Sequence, residues 1–116
     1  MKPQLDWDKL ILIGHSNGGD MTMLFATKYP HLINKAISMD HRRMIMPRTE
    51  KPRLYTLRGC DYDADAGVLP TKQEQEQFHM KVVKLDGITH SNMGENGTEE
   101  QHRLINQSIS GFLTQK

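Results

Sequence analysis

The chain predicts an α/β fold, a parallel sheet of about four strands with flanking helices. Apolar runs of strand length recur at 10–13, 35–39, 53–57 and 81–85. Segments of helical pattern alternate with these runs, and two of them open on a capping signature. The connections are also long enough for the crossovers that parallel neighbours require, whereas antiparallel hairpins need only a few residues. At 116 residues the chain is one domain's worth, and residues 1–116 read as a single unit.

The first run, Leu10 to Ile13, is short and rich in branched residues, as expected of a strand covered on both faces. After a glycine-rich turn, Met21, Leu24, Phe25 and Leu32 fall at spacings suited to one helical face, and Pro30 marks where regular helix stops. Lys35 to Met39 and Arg53 to Leu57 are the second and third strands. The stretch from His41 to Arg58 carries six Lys or Arg against one Glu, with Pro47 and Pro52 in its middle, and reads as a solvated connection. Thr71 and Glu74 are spaced as a capping box before a short polar helix, KQEQEQF. Lys81 to Leu85 is the fourth strand. Thr98 and Gln101 form a second capping box, and Leu104, Ile105, Ser108, Ile109, Phe112 and Leu113 make a stripe of helical period.

Composition narrows the function classes. Fifteen Lys and Arg against fourteen Asp and Glu leave a net charge of +1, no footprint for nucleic acid or an anionic membrane. The single cysteine, Cys60, cannot close an internal disulfide, and no basic stretch leads into a long apolar run, so the expected compartment is the cytoplasm. The sequons at Asn96 and Asn106 would matter only in a secreted chain.

Chemistry concentrates where the first strand becomes a helix. Gly14-His15-Ser16-Asn17-Gly18 is G-x-S-x-G placed directly after an apolar strand, the pattern of a nucleophile elbow. In that turn the serine backbone is strained and its hydroxyl exposed, while the bracketing glycines let strand and helix approach. The helix N-terminus points amides at the place where a negative oxygen develops in acyl transfer, and the N–H of Asn17 is the candidate oxyanion donor.

With this elbow in place, the chain resembles the C-terminal half of the α/β-hydrolase family, the serine esterases and lipases. The resemblance implies that 1–116 is a partial domain of that kind, from the elbow strand to the C-terminal helix. It implies a catalytic serine, acid and histidine in that chain order, with the acid after the next-but-one strand and the histidine after the last. The loop after RLYTL reads RGCDYDADAGVLP and the loop after KVVKL reads DGITHSNMG. Ser16 is then the nucleophile, His90 the general base, and Asp65 the orienting acid, with Asp61 second in preference; Asp65 leads into an apolar stretch and Pro70 as family members commonly do. No cofactor is implied, and the substrate is a small molecule with an ester or related acyl bond.

Only MKPQLDWD precedes the first strand, whereas the family normally has about four strands and a second oxyanion donor before the elbow. The chain is therefore expected to be a fragment, a truncated gene product or one half of an assembly, with an apolar strand edge open to self-association or to a complementing N-terminal half. The alternative function is a non-catalytic remnant or interaction module that binds a partner through that edge. A calcium loop is a rival reading of Asp61, Asp63 and Asp65. It lacks the glycine at its sixth position, Ala66, and the closing glutamate at its twelfth, Lys72; without HExxH or paired cysteines no zinc site is expected either. Arg42 and Arg43, after the second strand, are candidates for favouring a carboxylate-bearing substrate.

Overall fold

A computed structural model describes residues 10–94 and 96–114. Four parallel strands, β1 (Ile11–His15), β2 (Lys35–Met39), β3 (Arg53–Arg58) and β4 (Lys81–Lys84), lie side by side in chain order. Helix α1 (Asn17–Lys28) connects β1 to β2, α2 (Lys72–Phe78) lies between β3 and β4, and α3 (Glu99–Thr114) closes the chain. The α/β class and the parallel sheet are those the sequence predicts. Both capping boxes form: Thr71 Oγ1 accepts from the Glu74 N–H, and Thr98 Oγ1 from the Gln101 N–H.

Alternation along the strands sends side chains to two cores. Ala36 and Leu54 point to the α1 side with Met23, Ala26, Ile33, Met46 and Met80, and Leu69 and Phe78 pack onto that cluster from around α2. Ile37, Tyr55 and Leu57 point the other way, onto Ile105 and Phe112 of α3. There Tyr55 and Phe112 stack with ring centroids 4.5 Å apart. Lys35 Nζ donates to the carbonyls of Phe112 and Leu113, placing a cation on the negative end of α3.

The structure corrects one expectation about α1. Its buried residues are Gly19, Thr22, Met23 and Ala26, while Met21 is 63% and Phe25 36% exposed. The reason is proximity at the start of the helix: a Cβ on Gly19 would lie 2.9 Å from His41 Cβ and 3.2 Å from Ser38 Cβ, so a glycine faces the sheet there, while Met23 and Ala26 fill the core further along. Of the two glycines bracketing Ser16, only Gly14 is sterically required. A Cβ there would sit 2.2 Å from the Gly18 carbonyl oxygen, whereas a Cβ on Gly18 meets nothing within 4 Å.

At the sheet edge, Ile11 and Ile13 of β1 are 40% and 45% exposed. Among the described residues no helix is long and apolar enough to cross a membrane.

Backbone bonds carry the parallel ladders past the strand ends. Ser16 N–H donates to Met39 O, Asp40 N–H to Leu57 O, Leu85 N–H to Arg58 O, and Cys60 N–H to Ile88 O. The segments after all four strands are thereby held together at the carboxyl edge of the sheet.

Gly14→Ala is expected to lose at least about 3 kcal/mol of stability, because a backbone oxygen cannot move aside as a flexible side chain can. Gly18→Ala is expected to be neutral or to gain up to about 1 kcal/mol from helix propensity. Urea unfolding of the two variants measures the contrast.

Candidate active site

Ser16 occupies the junction of β1 and α1 at φ 58° and ψ −118°. A non-glycine residue with positive φ is strained there, and the strain is held by the Met39 O bond before it and the helix after it. As the N-cap residue Ser16 makes no side-chain capping bond. Its Oγ instead lies 3.0 Å from His90 Nε2, across a separation of 74 positions.

The other ring nitrogen, His90 Nδ1, lies 2.9 Å from Asp40 Oδ2. A carboxylate only accepts, so Nδ1 carries the proton and Nε2 is left as the acceptor for the Ser16 hydroxyl. Asp40 is fully buried. Its other oxygen accepts from the Gly59 N–H at 2.8 Å, and the Arg58 guanidinium stands 3.7 Å away. A buried carboxylate without such partners would cost several kcal/mol. Gly59 is required in turn, since a Cβ there would lie 2.9 Å from Asp40 Oδ2 and 3.0 Å from the His90 backbone nitrogen.

The structure thus brings Ser16 and His90 together, while neither Asp65 nor Asp61 reaches the His90 ring. Asp65 is half exposed and paired with Arg42, its Oδ1 3.0 Å from the Arg42 Nε. Asp61 does reach His90, but its Oδ1 accepts from the backbone N–H at 2.8 Å and leaves the ring alone. Nδ1 finds its partner after β2, the strand beside β1, one strand earlier than the resemblance implies. A signal existed in the sequence: Asp40 directly follows the apolar run Lys35–Met39, as Ser16 follows the first run. Asp40 also has φ 57°, a strained backbone like that of Ser16.

Asn17, the candidate oxyanion donor, is the first residue of α1, so its N–H has no acceptor within the helix. A groove of about 380 Å³ beside it is lined by Asn17, Asp20, Met21, Leu24, Arg43 and Met44. Of the two arginines after β2, Arg43 therefore borders the groove beside Asn17, whereas Arg42 is engaged by Asp65. Asp20 Oδ1 accepts from the N–H groups of Arg43 and Met44, which joins α1 to the loop after β2.

His15 and Asn92 shape the histidine loop. His15 Nε2–H donates to the His90 carbonyl at 2.9 Å, and Asn92 Oδ1 accepts from the Thr89 N–H and from Gln101 Nε2. With Asp61 and Asp65 committed elsewhere, no group of three potential metal ligands occurs among the described residues.

Behind Asp40 lies a buried polar chain that motif reading does not reveal. His41 Nδ1–H donates to Ser38 Oγ, and the Ser38 hydroxyl donates to Thr56 Oγ1, which also accepts from Arg58. Burial, aided by the Arg58 charge, lowers the His41 pKa to about 4. An unfolded chain would protonate His41 below its ordinary value of 6.5, while the folded chain resists until about 4, so stability is lost as pH falls across that window. Urea unfolding at pH 7 and pH 4.5 should show a loss of roughly 2–3 kcal/mol from this group. In His41→Gln that part of the pH dependence should vanish.

Comparison with known proteins is sparse. No family model matches the chain, and no solved structure matches it. A Drosophila melanogaster protein named "Probable serine hydrolase" is 28% identical over 80 residues, a stretch covering 69% of this chain and 24% of that protein. The chain therefore spans about a quarter of the length of that curated relative. Its similarity is to a protein named as a hydrolase.

Proposed function

We propose that this chain carries the catalytic residues of a serine hydrolase of the α/β-hydrolase type, acting on an ester or related acyl bond. The observation that carries the reading is the continuous relay from Ser16 Oγ to His90 Nε2 at 3.0 Å and from His90 Nδ1 to Asp40 Oδ2 at 2.9 Å, at an elbow with positive φ.

In this mechanism Ser16 Oγ attacks the acyl carbon while His90 Nε2 takes the hydroxyl proton, and the carbonyl π pair moves onto oxygen. Asp40 stays ionised and stabilises the imidazolium through the Nδ1–H. The Asn17 N–H, at the positive end of α1, faces the developing oxyanion. As the tetrahedral intermediate collapses, the bond to the leaving group breaks and His90 returns the proton to it. Water then attacks the acyl-serine by the same path, with His90 as base, and releases the acid and free Ser16.

The exposed Ile11 and Ile13 on edge strand β1 favour a second reading, in which the chain associates through that edge with another copy or with a complementing N-terminal half. On that reading the elbow is retained as architecture alone.

A fluorophosphonate probe is expected to label folded wild-type protein and to leave Ser16→Ala unlabelled. A folded, unlabelled wild type would overturn the hydrolase reading and favour the second. Asp40→Asn is expected to slow labelling by on the order of 10³–10⁴, because the imidazole loses its oriented tautomer. Asp65→Asn, which loses only an exposed ion pair, is expected to stay within a few-fold of wild type. Circular dichroism of each variant checks that the fold persists.

A further inference from the structure

Tyr62 lies against His90 in a geometry that the relay alone does not explain. The two rings are 3.7 Å apart between centroids and 16° from parallel, almost face to face. Two neutral aromatic rings disfavour that arrangement and offset or tilt instead. A cationic ring over the negative face of a tyrosine is attracted to it. Such a stack therefore gains attraction when the neutral ring takes up a proton.

Tyr62 is also held from both sides. Asp61 on one flank is bonded to the His90 N–H, and Asp65 on the other is bonded to Arg42 through both its carboxylate and its backbone N–H. The Arg42 guanidinium carbon sits 6.0 Å from the Tyr62 ring centroid. The segment that carries Tyr62 is thus tied to the His90 backbone through Asp61 and to Arg42 through Asp65.

Resting on the Ser16–His90–Asp40 reading, we propose that Tyr62 is a positioning residue that favours the imidazolium form of His90, the form generated when Ser16 gives up its proton. The other groups facing the imidazole, among the described residues, are Asp40 at Nδ1, Ser16 at Nε2 and the His15 ring, 4.9 Å away between centroids. Asp61 acts on the backbone of His90; Arg58, which also feels Asp63, acts through Asp40, and Arg42 through Tyr62. Tyr62 thus supplies the aromatic face stacked on the general base.

Replacing Tyr62 by Leu keeps an apolar cover of similar size and removes the π face. The His90 protonation midpoint, followed by NMR of the imidazole nitrogens, is expected to fall by roughly 0.5–1 pH unit in Tyr62→Leu. Tyr62→Phe and Tyr62→Trp, which keep an aromatic face, should hold the wild-type midpoint. With an activated ester, kcat of Tyr62→Leu is expected to drop about 3–10-fold with KM little changed, since the stack acts on a charge that appears only during reaction. A midpoint in Tyr62→Leu equal to that of wild type, or one that falls equally in Tyr62→Phe, overturns the proposal. The titration needs no turnover, so an inert wild type would count against the hydrolase reading while the midpoints still decide the role of Tyr62.

Discussion

The Asp40 carboxylate is the constraint on which the carboxyl edge depends. It is fully buried, and an ion in that position is tolerable only with a complete set of donors. Those donors come from distant parts of the chain: the imidazole of His90, the N–H of Gly59 and the charge of Arg58. Satisfying one ion therefore fixes the ends of β2 and β3 and the loop after β4 relative to one another. The same carboxylate sets the tautomer of His90, which turns a bare nitrogen toward Ser16. The packing of the strand ends and the orientation of the His90 ring rest on one set of hydrogen bonds.

Close packing supplies the remaining precision. Gly14 and Gly19 let α1 descend onto the sheet, which tightens the turn around Ser16 and leaves its Oγ outside the helical capping pattern. Backbone bonds from Ser16 to Met39 and from Asp40 to Leu57 then put Ser16 and Asp40 on adjacent strand ends. Both residues adopt positive φ. Two strained residues side by side persist because the neighbouring ladder and helix over-determine their conformation. The buried chain from His41 through Ser38 to Thr56 lies immediately behind, so the polar interior of this small domain is concentrated beneath the same edge.

Loop residues that look catalytic in the sequence take supporting positions in space. Asp61 holds the His90 backbone, Asp65 holds Arg42, and Tyr62 between them covers the imidazole. An acid-rich loop is thus a scaffold around His90 instead of the ionic partner of its ring. The distinction is one of reach: the Asp61 oxygen is committed to a backbone N–H, and Asp65 points outward to solvent and arginine.

Periodicity and local motifs determined a good deal by themselves. The four strands, both capping boxes and the G-x-S-x-G turn depend on neighbours in the chain, and each is found where the residue pattern places it. The turn also places Ser16 at the strained strand-to-helix junction, because Gly14 has a local steric meaning there. What the sequence could not decide was set by contacts between distant segments. The inward face of α1 went to Gly19, Thr22, Met23 and Ala26 instead of Met21 and Phe25, because the close approach of the helix start to the sheet fixed which side faces inward. The partner of His90 became Asp40 because burial and three convergent donors favour a carboxylate at the end of β2. A linear pattern records which residues are present, but which donors surround a given oxygen depends on how strands align across 50 positions, and only the folded chain establishes that.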